Sequence, residues 1–202
     1  MHALGRVGIA TLGAAGLIGL YLEFYTTLGW RGLADYSGYF TNLSNLLFIL
    51  TNLGLAFLPA ARTRTGAFLV LRGTATVGMV VTGIGYAALL SETAGFFQHP
   101  WINYVIHGIM PALALLDWLV FPPGPPRLRL RDAWRWLVFG LVWLVYTMVR
   151  GAILTWYPYP FIDPAVVGWP AVVAAISALA VVMSLVALAM LWYQNRRCRP
   201  VT

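Results

Sequence analysis

Six stretches of this sequence are each apolar over a length that can cross a bilayer, and nothing else in the chain constrains its fold as strongly. They run roughly over Val7–Trp30, Gly38–Leu58, Ala67–Leu90, Trp101–Phe121, Arg135–Tyr157 and Trp169–Tyr193. A helical span needs about 20 mostly apolar residues, and in hydrocarbon the backbone must satisfy its own hydrogen bonds. The expected fold is therefore an all-α polytopic membrane protein with six transmembrane helices, a single domain over residues 1–202. Only 9% of the residues are charged, against about a quarter in soluble domains. The first run is too long for a signal-peptide core and lacks a clear cleavage site, so it is read as a span.

The breaks between runs combine charge with turn chemistry. Arg31–Ser37 reads as a short polar loop, and Pro59–Gly66 carries Arg62 and Arg64. Ser91–Pro100 carries Glu92 and His99. Pro122–Pro126 cannot be helical and leads into Arg127, Arg129 and Arg131, while Tyr157–Pro170 holds prolines and Asp163. Every basic residue is Arg. Arg6, Arg62, Arg64, Arg127, Arg129, Arg131, Arg196, Arg197 and Arg199 fall in the N-terminus, second loop, fourth loop and tail. The other three loops share Arg31 alone.

By the positive-inside rule both termini are expected in the cytoplasm. Trp30, Trp101, Trp156 and Trp169 then mark the outer interface, and Trp118, Trp134, Trp136 and Trp192 the inner one. Topology thus accounts for the +7 net charge without nucleic acid as a partner. Abundant Arg, Ala, Gly and Val suggest a bacterial protein, hence the inner (plasma) membrane. A single cysteine, Cys198, excludes an internal disulfide and a CxxC redox pair. Gly13, Gly16, Gly19 and Gly78, Gly83, Gly85 are expected to let spans one and three pack closely, and Pro111 to kink span four.

Polar side chains gather in one layer. Thr41, Ser44, Asn45 and Asn52 share one helical face, which must look toward protein. At about 1.5 Å of rise per residue, Thr41, Asn45, Glu23, Tyr86, Asn103, His107, Arg150 and Ser177 all fall within ~12 Å of the outer boundary. This one-sided layer points to a cavity open toward the outer leaflet. Glu23 and Arg150 share a depth and are expected to pair, or Glu23 to protonate. In the functional alternative Glu23 orients His107 or Arg150 binds a carboxylate.

Alone, Thr41 fits a hydroxyl bonded back along its own helix. His107 is the only histidine well inside an apolar run, where ionisable groups point to function. Asn103, one turn earlier, can hold the imidazole or donate to an oxyanion. A neutral imidazole beside a threonine can take its proton, with Asn42, Asn45, Asn103 or Arg150 as donors to the attacked carbonyl and Tyr86 and Ser177 as further substrate contacts. These are the parts for acyl transfer.

Three motifs in span order carry a resemblance: Thr41-Asn42-Leu43-Ser44-Asn45-Leu46-Leu47, His107-Gly108-Ile109-Met110-Pro111 and Trp156-Tyr157-Pro158-Tyr159-Pro160-Phe161. With them the chain resembles, over nearly its whole length, the androgen-induced-gene and androgen-dependent TFPI-regulating family of multi-span proteins and its bacterial relatives. Animal members are intramembrane threonine hydrolases of fatty acid esters of hydroxy fatty acids. The resemblance implies Thr41 as nucleophile, His107 as base, a lipid substrate drawn from the bilayer and no cofactor. The competing reading is a lipid-binding or small-solute transport protein using the same cavity. Haem or metal chemistry lacks ligands, since only His99 and His107 lie near that side. A rhomboid-like protease lacks its GxSG motif.

Overall fold

The computed structural model describes residues 2–90, 99–123 and 127–197. The sequence readings on Glu92, Cys198, Arg199 and the centre of the PPGPP turn fall outside them. Six helical passes are long and apolar enough to cross a membrane. They are α1 (Ala3–Tyr36), α2 (Phe40–Phe57), α4 (Gly66–Gly85) with a π-helical extension over Tyr86–Leu90, a composite pass from Pro100 to Val120, α7 (Leu130–Leu154) and α9 (Trp169–Arg197). The composite pass joins α5 (Pro100–Asn103), a π-helical turn (Tyr104–Ile109) and α6 (Met110–Val120). Short helices α3 (Ala60–Thr63) and α8 (Pro164–Val167) sit in connections. No strand occurs among the described residues. The chain is an all-α, multi-pass membrane protein.

Helix α4 is the hub. It packs against α2, α6, α7 and α9 and is the most buried pass. Helices α7 and α9 are peripheral, exposing rows such as Leu141, Val145 and Ile153, or Val181 and Leu185. That surface is matched to lipid tails, not water.

Small residues set the spacing, but not between the partners read from sequence. A Cβ on Gly16 or Gly19 would come within 2.9 Å of Ile106 or Ile102, so the α1 glycines seat α1 on the composite pass. Gly78 faces Ser44 and Gly83 faces Pro111, while Gly85 has open space around it. Each stripe therefore meets spans two and four, not the other stripe.

Of the expected loop Arg31–Ser37, all but Ser37 is helical, as the end of α1. Helix α1 breaks at Gly29 (φ 63°, ψ −147°), a backbone conformation open to glycine. The segment beyond folds back, and the Tyr36 hydroxyl donates to the Leu17 carbonyl at 2.9 Å.

Two of the tryptophans read as an interface belt are interior. Trp118 and Trp136 are fully buried and meet edge to face at 5.4 Å, because their faces of α6 and α7 look inward. Trp134 and Trp192 remain exposed.

At the end of the bundle away from Thr41, Asp117 bridges two buried guanidiniums. Arg6 lies at 2.6 Å and Arg72 at 3.0 Å. Arg6 also donates to Asn52 at 3.0 Å and Arg72 to the Phe121 carbonyl. The cluster ties α1, α2, α4 and α6 together. Arg6, read as a topology charge, is thus a core residue, because its helical position turns it toward Asp117.

Candidate active site

The inward face of α2 is buried: Thr41, Ser44, Asn45 and Asn52 are each no more than 5% exposed. Tyr39 caps the helix and Thr41 sits in its first turn, where backbone N–H groups lack helical partners. The Thr41 N–H donates to the Tyr159 hydroxyl at 3.3 Å. That hydroxyl also lies 3.4 Å from Thr41 Oγ1. Tyr159 arrives from the Tyr157–Pro160 connection between α7 and α9, whose alternating prolines restrict the backbone. Its ring stacks on Phe161 at 5.2 Å and meets Tyr39 edge-on. Burial raises the Tyr159 phenol above its ordinary value, so it stays a protonated donor through neutral pH.

His107 completes the group, with Nε2 3.3 Å from Thr41 Oγ1. It lies in the π-helical turn just before α6. Pro111 has no N–H to return to the His107 carbonyl, and its ring would clash with that carbonyl in a regular helix. The chain widens by one residue instead, and the Met110 N–H reaches back to the Val105 carbonyl. The expected distortion at Pro111 thus takes the form of a π-turn, which re-aims a side chain.

A polar relay fixes the imidazole. Asn103 Oδ1 lies 2.7 Å from His107 Nδ1, and the Asn103 amide nitrogen donates to the Tyr86 hydroxyl at 2.5 Å. With its NH2 group given to Tyr86, Asn103 can only accept from His107. Nδ1 must carry the proton, and the Nε2 lone pair faces Thr41. The Tyr86 ring stacks on the imidazole at 4.3 Å, 19° from parallel.

Two cavities meet at this group. One, of about 510 Å³, is walled by α1, the start of α2, the Ile106–His107 turn and the Tyr157–Pro160 connection. The other, of about 290 Å³, lies among α4, α7 and α9 and is lined by residues such as Leu137, Leu141, Leu179 and Met183. Thr41, Tyr86, Leu90 and Tyr159 belong to both walls. The hydroxyl of Thr41 stands at the junction of an apolar chamber and a more polar one.

The remaining sequence candidates make other contacts, although Asn42 and Glu23 also line the larger cavity. Asn42 donates to the Tyr36 carbonyl at 2.8 Å, and Asn45 to the carbonyls of Thr41 and Ile106. Ser177 is exposed on α9 and lines neither cavity, because the helical phase of α9 turns it outward. Glu23 and Arg150 do not pair. Arg150 binds Asp35 at 2.7 Å and lies over the Trp156 ring, because the fold at Gly29 carries Asp35 to it. Glu23 Oε1 accepts the His99 N–H and lies 2.8 Å from His99 Nδ1. Tyr159 is a site residue that no sequence periodicity marks, although its Tyr-Pro-Tyr-Pro setting is a visible sign of a rigid, aromatic connection. Among the described residues no group of three or more metal-ligating side chains assembles.

No family model, no curated protein and no solved structure matches the chain.

Proposed function

We propose that the protein is an intramembrane esterase that cleaves lipid esters with Thr41 as nucleophile and His107 as base. The observation that carries the reading is the Thr41–His107–Asn103 relay at the junction of two cavities. His107 Nε2 takes the Thr41 proton as Oγ1 bonds to the ester carbonyl carbon. The resulting oxyanion lies beside the positive end of α2, the Thr41 N–H and the Tyr159 hydroxyl. His107 then returns the proton to the leaving alkoxide, leaving an acyl-threonine. Water, deprotonated by His107, attacks that acyl group, and the acid leaves as Thr41 recovers its proton. Two chambers suit an ester with two limbs, entering laterally from the bilayer. The Arg distribution supports cytoplasmic termini, a site in the outer half of the membrane and reporter fusions after Pro126 and Thr202 that read cytoplasmic, and the composition rich in Arg, Ala, Gly and Val supports a bacterial inner membrane.

The test is ester hydrolysis by purified protein, with mass spectrometry of the trapped acyl-enzyme. Thr41→Ala and His107→Ala should each abolish cleavage, and the double variant should lose little more, since members of a catalytic unit are non-additive. Thr41→Ser should retain part of the activity. An acyl adduct on another residue, or full activity in Thr41→Ala, ends the reading.

A further inference from the structure

The two chambers differ in charge. Among the described residues, the chamber among α4, α7 and α9 has no charged side chain in its wall. The described wall of the chamber beside α1 has two, Glu23 and Asp163, and both are acids. Each is held in place: Glu23 by the His99 backbone N–H at 2.8 Å, with the His99 ring Nδ1 also 2.8 Å away, and Asp163 by the Ala165 N–H at 2.9 Å. Among the described residues no Arg lines either chamber. The cations nearest in sequence to this region are placed elsewhere. Arg150 is taken by Asp35 and Trp156, and Arg31 is exposed on the folded-back end of α1.

The rest of the wall is aromatic. Phe24, Tyr39, Tyr86, Tyr157 and Tyr159 all line the chamber beside α1. Aromatic faces together with carboxylates attract an alkylammonium, through the ring quadrupole and through charge. An anionic head there meets like charge at reduced dielectric, and the one ionisable nitrogen described beside these acids, His99 Nδ1, is turned to Glu23 at 2.8 Å.

Building on the esterase reading, we propose that the alcohol limb of the substrate ends in an ammonium group. The substrate class is then an acyl ester of an amino alcohol, its acyl chain in the apolar chamber and its cationic head between Glu23, Asp163 and the tyrosines. This departs from an ester whose second limb carries a free carboxylate.

Binding can be read without catalysis, using three ethers that no esterase cleaves: O-hexadecylcholine, hexadecyl 2-methoxyethyl ether and hexadecyloxyacetic acid. They share the chain and the ether oxygen and differ only in the head. Native mass spectrometry of the full-length protein in nonionic detergent should rank the ammonium ether roughly tenfold or more above the carboxylate ether, with the neutral ether between. Glu23→Gln keeps an acceptor for His99, and Asp163→Asn keeps a helix cap. Each should shrink the ammonium-to-carboxylate ratio about fivefold or more without lowering the unfolding temperature, a readout that a merely structural role would not move. Tightest binding by the neutral or carboxylate ether, or a ratio unchanged in both variants, overturns the proposal. Because this order is measured on uncleavable ligands, a failure of ester hydrolysis tells against the esterase reading and leaves the head-group assignment to be decided by the ranking.

Discussion

Replacing Tyr159 by Phe isolates the one hydroxyl that the fold, not the local sequence, brings to Thr41. The ring should stay where it is, because its stack on Phe161, its edge contact with Tyr39 and its tilted contact with Trp143 need no hydroxyl. What is lost are two long contacts, 3.3 Å to the Thr41 N–H and 3.4 Å to Oγ1. Hydrogen bonds of ordinary length contribute about 0.5–1.5 kcal/mol net, and these are longer, so the stability loss should stay near or below about 1 kcal/mol. Thr41 itself lines both cavities. Catalysis should suffer far more. Once the carbonyl becomes an oxyanion beside Oγ1, the phenol is one of its two local donors, and removing such a donor costs about 10²–10³ in kcat, or roughly 2.7–4 kcal/mol.

The assay pairs steady-state hydrolysis of a long-chain ester with thermal unfolding in the same detergent. The expected result is kcat down about 10²-fold or more, KM changed by less than about threefold and the unfolding temperature nearly unchanged. A kcat within about threefold of wild type, in a preparation where Thr41→Ala is dead, refutes the oxyanion role. Loss of activity in step with loss of stability refutes it too, by showing that the hydroxyl only holds the connection in place. The same phenol sets an alkaline expectation. Burial favours its neutral form, so donor function should persist as pH rises through about 10, the ordinary tyrosine value, with no descending limb there.

Three further outcomes follow from the contacts. Asn103→Leu removes the acceptor that fixes the imidazole and should lower kcat by about 10²–10⁴, as losing the orienting member of a triad does, whereas Asn103→Asp, which keeps an acceptor, should retain more activity. Asp117→Asn leaves Arg6 and Arg72 buried without their counter-charge and should destabilise by about 3–5 kcal/mol in chemical unfolding, with Arg6→Met and Arg72→Met added together restoring part of the loss. Double-mutant cycles should show coupling of about 0.5–3 kcal/mol between Asp35 and Arg150 and additivity between Glu23 and Arg150.

The six passes were legible in the sequence because hydrocarbon imposes a local rule: about 20 apolar residues, with breaks at charge, proline and glycine. The inward face of α2 was legible for the same kind of reason. Helical phase places Thr41, Ser44, Asn45 and Asn52 on one side, and polar groups must leave lipid. Asn103 and His107 were legible as a pair through their spacing within one pass. Depth along the helices put Thr41 and His107 in the same layer, and they lie 3.3 Å apart.

Depth gives only one of three coordinates, and the misreadings come from the other two. Glu23 and Arg150 share a layer, yet which neighbours each helix has, and how it is rotated, sends them to His99 and Asp35. The break at Gly29 turned an expected loop into a returning helix and delivered both Asp35 and the Tyr36 hydroxyl. Rotation alone put Ser177 outside and drew Trp118, Trp136 and Arg6 inside. Tyr159 reaches Thr41 across 118 residues of sequence, through a connection that no periodicity describes. The sequence by itself determined the six spans and which polar side chains must turn inward from α2 and from the Asn103–His107 turn, because bilayer thickness and helix period act locally. The tertiary structure decided which of those groups touch, which donors remain open to a substrate and where the two chambers meet, because packing fixes azimuth and neighbour.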